Sequence, residues 1–564
     1  MDLNLVVAGE AGQGLQTLNE IMTKAFFHMG FSVFGSKDYM SRIRGGHNFM
    51  QIRISDEEIS SPREDINILL ALNRESKEIH ADRLASDGII LLEGEDEDKN
   101  GDKIISLAAG KMAKEVNPRA ANTVFLGAVW KLLGLKLDKL EQVIRKRFTD
   151  SEIQEDNLTL LHQGYEAVKQ NFDLTVPDRD ITDKMLINGN QAIGLGAAVS
   201  DVQFYSAYPM TPSTGILNFL ASRQDELNIA VEQAEDEIAA VNMALGASFA
   251  GVRAMTGTSG GGFSLMSEGY GLAGIMETPL VIAEVQRPGP ATGLPTRTEQ
   301  ADLSFVINAH QGEFPLKVIA PRDPREAFLE TVRAFNLADK YQMPVVILSD
   351  QFLADTKTDI KEIDLEKIEK NRYLVDETKW PSDKEYKRYE FTESGISPRA
   401  YPGQLEGEVV LQDSDEHDER GFIVEDAEKR KKMVDKRMKK LTRHKREDLN
   451  QPEFIGPEKP DYILVGWGST FGPLREAREL IEADGISVGL LSFSDVWPLP
   501  SAELEKNRCY STKLAVVENN ATGQLATIIN AETGLTVDYR LLKYDGRPFS
   551  AKEIYRRFKE EVIA

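Results

Sequence analysis

Four segments carry residue types and spacings that could do chemistry. The first is VEQAEDEIAAVNMALGASFAG, where Glu232, Glu235, Asp236 and Glu237 crowd the start of a run of small residues. Acidic groups at a helix N-terminus complement its dipole, which needs no ligand. The small residues are less ordinary. Ala239, Ala240, Ala244, Gly246, Ala247 and Ala250 would let another backbone approach closely. A carboxylate at the head of such a helix suits a buried contact with a cofactor. The second is YPMTPST, Tyr208 to Thr214, a loop stiffened by two prolines. It reads as a ligand loop at the carboxyl end of a parallel strand. It also reads as a helix start, with Thr211 capping and Pro212 at the first helical position.

The third is TGTSGGGFSLMSEG, Thr256 to Gly269, whose three consecutive glycines before a helix form an anion-tolerant turn. The fourth is VQRPGPATGLPTRTEQADL. Here Arg287 follows an apolar run, and a Pro/Gly-rich loop carries Thr292, Thr296 and Arg297. Arginine at a strand end is suited to bidentate carboxylate binding; a surface ion pair is the plainer reading.

Three other features are less specific. Gly9, Gly12 and Gly14 in GEAGQG follow a strand and precede a helix, which would let backbone approach a phosphate. The spacing matches neither the dinucleotide fingerprint nor a P-loop, so a tight turn with no ligand is the competing reading. In SRIRGGHN, Arg42 and Arg44 could meet phosphates or form ordinary loop ion pairs. Lys429 to Arg446 holds eleven Lys/Arg and one Asp. That run reads as a helix with Met433, Val434, Met438 and Leu441 inward and its charges in solvent, or as a contact for an acidic partner or for phosphates. The acidic DEHDE around His417 reads as a solvated loop rather than a metal site.

The elements that would position these residues fall into three α/β blocks. The first opens with LNLVVA, turns through GEAGQG into a helix, and continues with INILLAL, GIILLEG and a helix from Thr123 to Leu133. VPDRDITD reads as a linker. The second alternates strands (VRAM, PLVIAEV, LKVIA, PVVILSD) with helices at spacings suited to a parallel sheet. A charged stretch follows, and a smaller α/β block begins at DYILVGWGST. The expected fold class is therefore multidomain α/β, with domains at 1–175, 185–356 and 460–564 and an insert at 357–459.

Composition bounds the function. The 564 residues carry Lys+Arg 67 and Asp+Glu 91, a net charge of −24, which argues against nucleic acid as a partner. No run spans a bilayer and no signal peptide opens the chain, so a cytoplasmic protein is expected. The single cysteine, Cys509, cannot by itself ligate an iron–sulfur cluster.

YPMTPST, VEQAEDEIAA, TGTSGGGFSLM and RPGPATGLPT, in this order, closely resemble the α subunits of 2-oxoacid:ferredoxin oxidoreductases. The resemblance covers nearly the whole chain. The first block looks like that family's γ domain fused ahead of the α part, the second like a pyrimidine-binding thiamine diphosphate domain, and the third like a transketolase-C-like domain. It implies oxidative decarboxylation of a 2-oxoacid with coenzyme A (CoA) and ferredoxin, by way of a thiamine diphosphate ylid.

Carried over by motif, Glu237 is the glutamate at the cofactor's aminopyrimidine, with Glu232 and Glu235 as rivals. Tyr208, Pro209, Thr211 and Pro212 lie near cofactor and substrate, and Met210 departs from the more usual isoleucine. Arg287 meets the substrate carboxylate, Thr296 belongs to the same loop, and Arg297 is a candidate for a second carboxylate. The γ-like domain would help receive CoA, with Gly9, Gly12, Gly14, Arg42 and Arg44 as positions able to do so. The resemblance also implies a β subunit that holds a 4Fe–4S cluster and shares thiamine diphosphate and Mg2+, in an (αβ)2 assembly, with no metal on this chain. The middle segment is similar to 2-oxoglutarate enzymes. A pyruvate or branched-chain 2-oxoacid enzyme is the alternative substrate reading. A non-catalytic nucleotide-binding assembly subunit, resting on GEAGQG alone, is the alternative of another class.

Overall fold

The computed structural model describes residues 1–41, 45–95, 103–381, 383–508 and 512–563. Two compact units emerge. One comprises residues 1–187 with 355–362 and 550–552, and the other comprises 188–354, 363–549 and 553–564.

The first unit is built on a mixed sheet. From Ile104–Leu107 the strand order runs through Leu84–Glu93, Ile66–Ala71, Asp2–Ala11, Gly45–Ser55, Ser32–Asp38 and Lys357–Lys361 to Lys184–Asn188. Asp2–Ala11 pairs parallel with Ile66–Ala71 but antiparallel with the long strand Gly45–Ser55. Helix Leu15–His28 packs on this sheet with Phe26 stacked on Trp130, ring centroids 4.6 Å apart. Helices Thr123–Leu132 and Ser151–Glu166 meet backbone to backbone. A Cβ on Gly127 would lie 1.9 Å from the Leu161 carbonyl oxygen, and one on Gly164 would lie 1.9 Å from that of Val124. Only glycine allows that approach.

The second unit contains the parallel sheet that the strand–helix alternation predicts. Its order is Asp495–Trp497, Lys317–Ile319, Pro344–Asp350, Leu280–Gln286, Arg253–Thr258, Val202–Ala207, Ala230–Gln233. All neighbours pair in parallel except the first two. Arg253–Thr258, Leu280–Gln286 and Pro344–Asp350 are buried along their whole length, as strands covered on both faces must be. The C-terminal block forms a second sheet, Glu453–Ile455, Val488–Phe493, Tyr462–Trp467, Lys513–Glu518, Tyr539–Leu542. It also lends the antiparallel edge strand to this unit's parallel sheet, and there Lys317 and Asp495 form a fully buried ion pair at 2.6 Å.

The basic run forms helix Ala427–Glu447, but its inward face differs from the expected one. Met433, Lys436, Arg437, Lys440 and His444 are buried, while Val434, Met438 and Leu441 are half-buried. Cations can face inward because buried acids meet them. Glu277 accepts from Lys436 at 2.6 Å and pairs with Lys440, and Glu416 pairs with Arg437 at 2.7 Å. DEHDE is likewise not simply solvated. His417 is fully buried, its ring 3.8 Å from that of Tyr389, and its Nδ1 lies 3.0 Å from the Asp415 carbonyl oxygen. Among the described residues no helix is long and apolar enough to cross a membrane.

Candidate active site

The parallel pairing puts the carboxyl ends of six strands along one edge of the second unit's sheet, where open α/β sheets bind ligands, and five of them lead into candidate residues. Val202–Ala207 delivers Tyr208 to Ser213, Ala230–Gln233 delivers Glu237, and Arg253–Thr258 delivers the triple glycine. Leu280–Gln286 delivers Arg287, and Pro344–Asp350 ends on a buried aspartate.

Burial separates the four candidate acids. Glu232 and Glu235 are exposed. Asp236 is the N-cap of helix Glu237–Phe249, its side chain accepting from the Ala239 N–H at 2.8 Å. That cap fixes the first turn and turns Glu237 inward to 3% exposure. Its Oε1 is buried and receives no hydrogen bond from any described residue. An unsatisfied buried carboxylate oxygen is costly, so it calls for a partner outside the chain. The opposite wall is backbone. A Cβ on Gly262 would lie 2.5 Å from Glu237 Oε1 and 2.2 Å from Thr258 Oγ1, so the TSGGG turn leaves open the space beside the carboxylate. A cofactor ring nitrogen able to hydrogen-bond Glu237 fits this arrangement.

The YPMTPST loop closes from the other side. Its helix is Thr214–Ala221 with Ser213 at the N-cap, so Thr211 does not cap it. Thr211 acts through its backbone: Arg287 Nη1 donates to its carbonyl oxygen at 2.6 Å. Asn190 Nδ2 anchors the Pro212 carbonyl oxygen at 2.9 Å, and Thr258 Oγ1 lies 3.9 Å from Met210 Sδ. Tyr208 is exposed, Pro209 half-buried, and Thr296 buried. Arg297 is half-buried and Thr292 exposed. Burial pulls the Arg287 guanidinium below its usual range, and the nearby Asp302 and Glu284 oppose that pull. Asp302 and Glu284 were not among the sequence candidates. The signal was an acid inside the apolar run LVIAEVQ and another in TEQADL.

In the first unit, Gly12 and Gly14 have φ of 94° and 77°, which favours glycine. The turn is closed by its own side chains. The Glu10 N–H donates to Gln13 Oε1 at 2.7 Å, and Asn122 Nδ2 donates to the Gln13 carbonyl oxygen. A Cβ on Gly9 would lie 2.5 Å from Gln13 Oε1. Arg42, Arg44 and Cys509 lie outside the described residues. Among the described residues no group of three or more His, Cys, Asp or Glu is arranged to hold a metal ion.

Comparison with known families agrees with this architecture. Residues 196–436 match the family described as pyruvate flavodoxin/ferredoxin oxidoreductase, thiamine diphosphate-binding. Residues 4–167 match pyruvate ferredoxin/flavodoxin oxidoreductase, and 460–554 match pyruvate:ferredoxin oxidoreductase core domain II. The fold is thus that of a thiamine diphosphate-dependent oxidoreductase. A 2-oxoacid:ferredoxin oxidoreductase subunit alpha from Sulfolobus sp is 33% identical, covering 98% of this chain and 96% of its own. The 2-oxoglutarate oxidoreductase subunit KorA of Mycobacterium tuberculosis is 28% identical over 98% of this chain and 91% of its own. A solved 2-oxoglutarate:ferredoxin oxidoreductase from Magnetococcus marinus, with 2-oxoglutarate, coenzyme A and succinyl-CoA bound, superposes with a TM-score of 0.92 at 32% identity, covering 99% of both chains. The chain belongs to the 2-oxoacid:ferredoxin oxidoreductase family, as an α subunit with its γ domain fused at the N-terminus.

Proposed function

We propose that this α subunit works with a β subunit to convert 2-oxoglutarate, CoA and two oxidised ferredoxins into succinyl-CoA, CO2, a proton and two reduced ferredoxins, or the reverse. The observation that carries the site assignment is Glu237: buried, capped into place by Asp236, and with Oε1 left unsatisfied beside the Thr258–Gly262 wall. Bound thiamine diphosphate would supply the electron sink for loss of CO2. Glu237 would hold a proton at a ring nitrogen of its aminopyrimidine, in a water-poor cleft that strengthens the bond. Arg287, steadied by the Thr211 carbonyl, would take the substrate carboxylate. Tyr208 and Pro209 would border the cofactor, and Thr296 the substrate. Gly9, Gly12, Gly14, Arg42 and Arg44 remain the proposed CoA contacts of the γ domain.

The β subunit would contribute the diphosphate site, Mg2+ and the iron–sulfur cluster, because one cysteine cannot hold a cluster. Large apolar side chains stand exposed on the segments that build the site: Tyr208, Ile238, Met243, Leu265 and Leu294. On helix Glu237–Phe249 the exposed stripe runs Ile238, Asn242, Met243, Gly246, and a Cβ on Gly246 would touch nothing within 4 Å. Such a face suits an intimate partner. An (αβ)2 assembly in the cytoplasm completes the proposal. The choice of 2-oxoglutarate is supported by the Magnetococcus marinus and KorA relatives. A broader 2-oxoacid range, including pyruvate or branched-chain acids, is favoured by the Sulfolobus relative's general name.

The test is co-purification with the β subunit and a 2-oxoacid panel with a viologen acceptor. 2-Oxoglutarate should give the highest kcat/KM. Glu237→Ala should abolish turnover while the complex still assembles; a normal rate in that variant refutes the assignment.

A further inference from the structure

Beside Arg287 lies a pair of acids with no part in the proposed function. Glu284 sits in the middle of strand Leu280–Gln286 at 0% exposure. Both of its carboxyl oxygens are buried, and no N–H or hydroxyl of a described residue donates to either. The acid that acts on it most strongly is another carboxyl, that of Asp302. Two carboxylates cannot hydrogen-bond each other unless one carries a proton.

Asp302 shows the same engagement from its own side. It occupies the N-cap of helix Leu303–Asn308, where an aspartate ordinarily accepts a helix N–H, yet its side chain makes no capping bond. It is turned instead toward Glu284 and the glycine wall, close enough that a Cβ on Gly260 would lie 2.4 Å from its Oδ2. Its backbone N–H is held by Gln286 Oε1 at 3.0 Å, which ties it to the end of the same strand.

The charged groups that face the pair come from three directions. Arg287 follows the strand. Asp350 lies at the end of the neighbouring strand, its Oδ2 accepting from Ser469 Oγ at 2.5 Å, and Glu299 lies in the loop before Asp302. Burial, then the charge of Asp302, pushes Glu284 well above the carboxylate range. Burial pushes Asp302 up only to about 6, because Glu284 and Arg287 beside it pull it down. Near neutral pH the pair therefore keeps one proton and one negative charge.

We propose that Glu284 is a neutral acid donating its proton to the Asp302 carboxylate, and that Asp302 is the counterion that positions Arg287 for the 2-oxoacid carboxylate. The arginine is then held at two points: by the Thr211 carbonyl on one side and by a single, fixed negative charge on the other. A second negative charge would overbind the guanidinium, and none would leave it free to swing toward solvent. The positioning step rests on the assignment of Arg287 to the substrate carboxylate; the shared proton does not.

The experiment uses the αβ complex and two readouts. Infrared difference spectra across pH should show a protonated carboxyl at neutral pH in the wild type, and Glu284→Gln should remove that band. Identical spectra in both would overturn the shared proton. In kinetics, Glu284→Gln keeps a neutral donor, so KM for the 2-oxoacid should stay within about twofold of wild type at neutral pH. The alkaline fall in kcat/KM caused by the pair's second ionisation should disappear. Asp302→Asn removes the counterion and should raise that KM about tenfold, with kcat changed less. An unchanged KM would overturn the positioning role. Arg287→Ala separates the two readings. If it leaves KM unaltered while the Glu284 band is still present, the substrate assignment and the positioning step fall together and the shared proton stands.

Discussion

Gly262 offers a sharp test of the wall beside Glu237. In a short helix, Gly262→Ala should by backbone propensity alone stabilise the chain by about 1 kcal/mol. The structure predicts the opposite sign for function. The new Cβ would start 2.2 Å from Thr258 Oγ1, 2.5 Å from Glu237 Oε1 and 2.8 Å from Glu237 Cγ. Ordinary carbon contacts lie near 3.5–4.0 Å, so roughly 1 Å of displacement is needed. Thr258 is boxed into a buried strand, so Glu237 is the group that moves. Overpacking of this kind costs about 1–3 kcal/mol, which offsets the propensity gain and leaves a modest loss of stability. A displacement of about 1 Å in a catalytic group costs on the order of 100-fold in rate. The control is the adjacent glycine. A Cβ on Gly261 would meet only the Ala291 carbonyl oxygen, at an ordinary 3.6 Å, so Gly261→Ala should keep the wild-type rate. Both variants would be co-purified with the β subunit and assayed for 2-oxoacid-dependent viologen reduction, with thermal midpoints measured in parallel. A Gly262→Ala enzyme within threefold of wild type, or equal losses in both variants, would refute the reasoning.

Other expectations concern the scaffold. Glu277→Ala should destabilise the second unit by about 3–5 kcal/mol in urea unfolding, because it strands Lys436 and Lys440 in the interior, whereas Lys432→Glu on the exposed face should change it by less than about 0.5 kcal/mol. Burial raises the Glu416 pKa, but Arg437 and Arg430 outweigh it and hold the group at about 2. Its folded pKa is depressed, so its contribution, at most about 3 kcal/mol, is present above the ordinary carboxylate range and lost as pH falls from about 4.5 toward 2. Glu416→Gln should flatten that acid limb in a pH series of unfolding midpoints. Gly164→Ala should loosen the first unit by at least about 1–3 kcal/mol, since the Cβ would strike the Val124 backbone, which has no rotamer to escape into; an unchanged unfolding midpoint would contradict the close helix contact.

The parallel sheet was legible because strands buried on both faces are written as short apolar runs, and its carboxyl edge was legible because each run ends in a motif of unusual composition. Two kinds of feature were not, and they share a cause. Helix Ala427–Glu447 places Met433, Lys436, Arg437, Lys440 and His444 inward at helical spacing, yet a reading that expects apolar residues inside assigns those cations to solvent. Of their partners, Glu277 is 159 residues from Lys436 and Glu416 sits in the loop ahead of the helix, and no helical periodicity announces either pairing. Glu284 is the converse case. A lone acid in an apolar strand passes as noise in a periodicity count, whereas in free-energy terms it is the least neutral residue in the run, since burying it uncompensated costs several kcal/mol. Its burial demands either a proton or a cation. In the proposed pair Glu284 keeps its own proton and donates it to Asp302, and Arg287 answers the charge that remains. The mid-strand acid was thus the local sign of the site's second layer, and a reading that asks of every charge in an apolar run what would pay for its burial would have looked for Asp302 and Arg287 together.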